Sequence, residues 1–117
     1  MSISVVEYLK HIVDEARFLE SRSSGLSIQQ FMVDEVLKRA FVRALEIIGE
    51  ASKKVPEDVR SRYPDIDWRR MAAMRDRLIH GYFGTDYTIV FEVAKERAGN
   101  LAARLEEIIA DLESSSL

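Results

Sequence analysis

A chain of 117 residues is one domain, and with 47% apolar and 32% charged residues it has the balance of a globular protein with a core of its own. It has no cysteine, which excludes disulfides and thiolate chemistry, and no apolar run nears the roughly 18 residues of a membrane span. A formal charge of −3 excludes bulk electrostatic attraction of nucleic acid. Cysteine-free composition suits a reducing cytoplasm, and the N-terminus lacks the charged-then-apolar layout of a signal peptide. The expected location is therefore cytoplasmic.

The first helix is expected over residues 3 to about 21, where Val5, Leu9, Ile12, Ala16 and Leu19 recur at three- and four-residue steps. Ser21 to Gly25 breaks the pattern as a loop. Ser27 and Gln30 then form a Ser-x-x-Gln capping box, with Leu26 and Phe31 placed as a hydrophobic staple. A second long helix follows, with the stripe Phe31, Leu37, Ala40, Phe41, Ala44, Ile48 and Ala51. Gly49 weakens that helix by about 1 kcal/mol relative to Ala, which points to another backbone packing close by. Pro56 opens a short helix with Glu57 and Asp58 in its first turn, and Tyr63-Pro64 ends it.

Asp65 or Asp67 is placed to cap the next helix, which runs from about Trp68 to His80. Trp68, Met71, Met74 and Leu78 supply its apolar contacts, a stripe read as packing. Gly81 stops it, and Asp86 caps a last helix that runs to about Glu113 on Val90, Ala94, Leu101, Leu105, Ile108 and Leu112. Gly99-Asn100 marks a bend in it. Nothing alternates with the two-residue period of a strand. The short connections imply an all-α, up-down antiparallel bundle of four long helices plus one short one.

The chemistry is concentrated in Arg75-Asp76-Arg77-Leu78-Ile79-His80-Gly81-Tyr82. Charge is uneven around it: residues 67–80 hold four arginines against two acids, and residues 81–117 hold three basic residues against seven acidic ones. An anion would be received near this helix. His80 ends the helix, where the partial negative charge of the C-terminus favours imidazolium. Asp76 lies one turn below and can hold a ring nitrogen, or be an ordinary surface carboxylate paired with an arginine. Arg75 lies five residues before His80, roughly 140° around the axis, and can bend toward it or point across an interface. Arg69, Arg70 and Arg77 read as a solvated face or as phosphate-steering charges. Tyr87 reads as a half-buried core aromatic and His11 as surface. There is no HExxH motif, no ligand-spaced cluster and no glycine-rich phosphate loop, so neither metal nor cofactor is expected.

Arg75, four residues, His80, one residue and Tyr82 give R-x4-H-x-Y, the signature of the HEPN superfamily. The chain resembles, more narrowly, the HepT toxins of HepT/MntA toxin–antitoxin systems. The resemblance extends to residues 44–53, 55–57, 63–68 and 80–84, in order and spacing. It implies a metal-independent endoribonuclease working as a homodimer whose motif helices make one composite cleft. Arg75 and His80 would be its catalytic residues, with Asp76 in support. It also implies a partner, an MntA-like nucleotidyltransferase antitoxin, which would silence the toxin by transferring AMP to Tyr82. Without the resemblance, His80 is better read as a C-capping histidine that bonds the last carbonyls of the helix. A non-catalytic helical module that binds a nucleotide or a nucleotidyltransferase partner uses the same residues.

Overall fold

The structure is a computed structural model that describes the backbone of residues 4–80 and 84–115 and the side chains of 4–79 and 84–114. The described residues form helices, turns and loops, with no strand among them. The elements are α1 (Val5–Ser23), α2 (Ile28–Met32), α3 (Glu35–Lys54), α4 (Glu57–Arg62), α5 (Trp68–His80), α6 (Tyr87–Glu92) and α7 (Ala98–Ser115), with a π turn at Val93–Arg97 joining the last two. Counting 87–115 as one continuous rod leaves four long helices and two short ones. α1 packs on α3 and on α7, and α5 lies along α3. The core runs between them through Leu9, Ile12, Leu19, Phe41, Leu105 and Ile108, all out of solvent. None of the helices described is long and apolar enough to cross a membrane.

Two expectations change in detail. The single helix expected after Ser27 is two helices. The capping box forms as read, Gln30 N donating to Ser27 Oγ and Ser27 N to Gln30 Oε1. The helix it starts stops at Met32, because Asp34 turns out of helical geometry and accepts from Leu37 N at 2.9 Å. An aspartate that can bond its own backbone competes with the helix and starts a new one. The break lets Phe31 turn inward, its ring 4.9 Å from Phe41 and 5.3 Å from Phe91.

The irregularity in the last helix is the π turn at Val93–Arg97, not Gly99-Asn100. It meets the end of α1, where Ser23 Oγ donates to Ala94 O and Lys95 Nζ to Ser23 O and Leu26 O. A π turn loosens the helix's own ladder; the Ser23 hydroxyl of α1 takes up the Ala94 carbonyl, and Lys95 of the turn in return caps carbonyls at the end of α1 and just beyond it. A Cβ at Gly99 would have the carboxylate end of Glu20 as its nearest neighbour, a flexible tip that can swing aside, so packing does not demand the glycine.

α5 is anchored at its start. Asp67 Oδ1 accepts from Arg70 N, so Asp67 is the cap, while Asp65 takes both Nε and Nη2 of Arg104. Trp68 is buried and donates from Nε1 to Tyr63 O at 3.0 Å. Tyr63 in turn donates its hydroxyl to Asp111 on α7. This end of α5 is thereby tied to the rest of the bundle, and the helix then runs along α3 toward His80.

Candidate active site

Gly49 sets the distance between α3 and α5. A Cβ built on it would stand 2.2 Å from Arg75 Cβ and 2.7 Å from Met71 O. The glycine expected to admit a close backbone does so, and the chain it admits is the motif helix at Arg75. The stem of Arg75 is thus pressed against α3, and its side chain is 26% exposed. Arg75 Nη1 donates to Asp76 Oδ1 at 3.1 Å. Arg75 Nε is buried with no hydrogen-bond partner among the described residues.

Asp76 is held from two helices. Its Oδ1 accepts from Lys53 Nζ of α3 at 2.7 Å as well as from Arg75. The Lys53 ammonium first, and the Arg75 guanidinium second, hold its carboxyl below the usual carboxylate range. Asp76 thus pairs with Arg75, one of its two expected and compatible roles, and with Lys53 besides. The imidazole of His80 lies outside the described side chains, although α5 carries its backbone as the last helical residue. Gly81 and Tyr82 lie outside the described residues altogether.

The other face of α5 is open. Between it and the rod 87–115 lies a cleft of ≈ 510 Å³. Leu45 and Ile48 of α3, Met71 and Met74 of α5, and Leu101 of α7 line it, so Met74, expected in the core, faces the cleft. Arg70 and Arg77, seven residues apart and hence on one side of the helix, stand on the α5 wall. Glu92, Glu96 and Arg97 stand opposite. Arg69 is exposed and takes no part in the lining. Ile79, one residue before His80, is 44% exposed. Tyr87 is half-buried with its ring against Phe31, and His11 is exposed, as expected. Among the described residues no three His, Cys, Asp or Glu side chains gather as metal ligands. The charged groups this face offers a ligand are guanidinium and carboxylate.

Lys53 is the residue that sequence reasoning passed over. Its partner lies on another helix, 23 residues away, and no spacing rule pairs them. One signal was available. Gly49 and Lys53 are four apart on α3, so a close approach of α5 at Gly49 places Lys53 on the same face one turn later.

Residues 12–108 match the family model described as Ribonuclease HepT-like. A "Putative RNase" of Caldanaerobacter subterraneus subsp. tengcongensis is 45% identical over 102 residues, covering 87% of this chain and 91% of that protein. A "Probable ribonuclease HepT" of Thermococcus cleftensis is 39% identical over 108 residues, covering 92% of this chain and 98% of that one. A "Putative RNase" of Methanocaldococcus jannaschii is 40% identical over 109 residues, 93% of this chain and 84% of that one. No solved structure matches the chain.

Proposed function

Since the chain belongs to the HepT-like ribonuclease family, we propose that it is an endoribonuclease that cuts RNA without a metal ion, with Arg75 and His80 as catalytic residues. The observation that carries the reading is Arg75 itself. It is packed by its stem against Gly49, hydrogen-bonded to Asp76, and set on the helix that ends at His80.

Cleaving RNA in this way needs three things. The 2′-hydroxyl must lose its proton as its oxygen bonds to phosphorus. The bond from phosphorus to the 5′-oxygen must break, and that oxygen must gain a proton. The crowded phosphate oxygens must be met by positive charge. His80 accepts or donates the proton. Arg75 stabilises the developing charge with its planar fork. Arg70 and Arg77, with Arg69 beyond them, draw the RNA backbone to the helix against the chain's net negative charge.

One histidine serves one proton transfer at a time, so the reading calls for two copies. The open face of α5 supports a homodimer through the motif helix. Its cleft carries both signs of charge, Arg70 and Arg77 with Asp67 on one wall and Glu92 and Glu96 with Arg97 on the other, a mixed surface that a second copy can complement.

The chain is on this reading the toxin of a toxin–antitoxin pair. Its antitoxin is an MntA-like nucleotidyltransferase that silences it by adding AMP to Tyr82. Each AMP brings a phosphodiester anion two residues past His80, in place of substrate phosphate.

The test is cleavage of single-stranded RNA in EDTA, with the ends analysed for 2′,3′-cyclic phosphate. Wild type should cut, and Arg75→Ala should not, with unchanged helical circular dichroism. Equal trace activity in both would remove the ribonuclease and favour a helical binding module. Co-expression with the nucleotidyltransferase should add AMP mass to wild type and none to Tyr82→Phe. An adduct that persists in Tyr82→Phe would show that another tyrosine is the target.

A further inference from the structure

Lys53 occupies the last turn of α3, where the partial negative charge of the helix end suits a cation. It reaches across to α5 and donates to the oxygen of Asp76 that also accepts from Arg75. We infer that Lys53 is a positioning residue of the cleavage site, acting through Asp76 to fix the Arg75 guanidinium and to leave its charge unspent for a phosphate. The inference rests on the reading of Arg75 as the group that meets the scissile phosphate.

The geometry supports it in two ways. Neighbours in sequence on a helix point about 100° apart, so Asp76 does not face Arg75 by helix geometry alone. A fixed point on another helix is needed to hold the carboxylate where Nη1 can reach it, and Lys53 provides one. Charge gives the second reason. An arginine and an aspartate alone form a neutral pair, with the guanidinium's attraction for an anion largely cancelled. A second cation on the same oxygen leaves the group of three with one net positive charge.

An ion pair this exposed, with side chains at 42% and 46%, contributes little to stability. Lys53→Met should therefore fold, and its effect should be on the site.

The experiment is single-turnover cleavage of one RNA by wild type, Lys53→Met, Lys53→Arg, Asp76→Asn, the double variant Lys53→Met/Asp76→Asn, and Lys54→Met as control. The Asp76 carboxyl is titrated by NMR in wild type and in Lys53→Met. Lys53→Met should lower the rate at saturating RNA by about tenfold, the scale of one charge-assisted contact, and Lys53→Arg should restore most of it. In the Asp76→Asn background, Lys53→Met should change nothing further, because two residues acting through one another are not additive. Lys54→Met should match wild type. The Asp76 carboxyl should titrate higher in Lys53→Met than in wild type. Wild-type rate in Lys53→Met would overturn the inference. So would an undiminished effect in the Asp76→Asn background, or a loss confined to KM, since either means that Lys53 meets RNA directly. Arg75→Ala, run beside them, separates the two levels. If it is inactive while Lys53→Met is unimpaired, the inference alone fails; if it cuts like wild type, the reading of the site fails and the inference with it.

Discussion

Gly49→Ala should destabilise the protein and impair cleavage, against the ordinary effect of that substitution. In a free helix it would stabilise by about 1 kcal/mol, because glycine is the poorer helix former. Here the new Cβ would stand 2.2 Å from Arg75 Cβ and 2.7 Å from Met71 O, where ordinary contact begins at 3.4 Å. Met71 O is backbone and Arg75 Cβ is fixed to backbone, so neither can swing aside as a side-chain tip would. α5 must move off α3 by roughly 1 Å, and overpacking of this kind costs about 1–3 kcal/mol. Set against the propensity gain of about 1 kcal/mol, this leaves a net loss of up to about 2 kcal/mol, toward the upper end because both contacting atoms are fixed to backbone. Urea unfolding measures the stability term through the midpoint at constant slope. The movement also lifts Arg75 away from α3, where Lys53 holds Asp76, so the cleavage rate should fall even where the variant is fully folded. A Gly49→Ala protein about 1 kcal/mol more stable than wild type, with full cleavage, would show that the close approach at Arg75 does not exist.

Lys53 and Arg75 hold the Asp76 carboxyl low, so the sign of its pH effect is fixed. Its contribution to stability is present above the ordinary carboxylate pKa and is lost as pH falls through the lowered folded value. NMR titration should show Asp76 as one of the last carboxylates to protonate; titration at the ordinary value would contradict the Lys53 and Arg75 bonds. The Tyr63 phenol is pushed up, first by its hydrogen bond to Asp111 and then by burial. The stability it contributes is present below the ordinary tyrosine pKa and is lost as pH rises through the raised one. Tyr63→Phe should cost about 1 kcal/mol in urea unfolding, and an unchanged midpoint would remove the Tyr63–Asp111 bond from the account. Light scattering should show a dimer at micromolar concentration. A strict monomer would end the two-copy argument.

Much of the architecture was legible because helix signals are local. The Ser27 capping box, the Asp67 and Asp86 caps and the apolar stripes each depend on residues within a turn of one another. The errors came where a local signal had a rival. Asp34 reads as an interior residue of a long helix until its side chain is seen bonding Leu37 N. The π turn at Val93–Arg97 answers Ser23 and Lys95, contacts made across some seventy residues of sequence. Gly49 announced a close approach, yet only the fold identifies Arg75 as what approaches. The same holds for the site. Arg75 and Asp76 stand together in the sequence, whereas Lys53, which shares their carboxylate, comes from another helix. Met74 reads as core in the sequence because apolar spacing does not distinguish a buried face from the floor of an open cleft.

The central claim is that the helix carrying Arg75 and His80 cuts RNA by proton transfer. The most direct measurement is the single-turnover rate on one end-labelled RNA in EDTA, for wild type and for His80→Ala. Wild type should produce fragments ending in 2′,3′-cyclic phosphate, and His80→Ala should produce none above the rate without protein while keeping the same helical spectrum. Cleavage by His80→Ala at the wild-type rate would contradict the account.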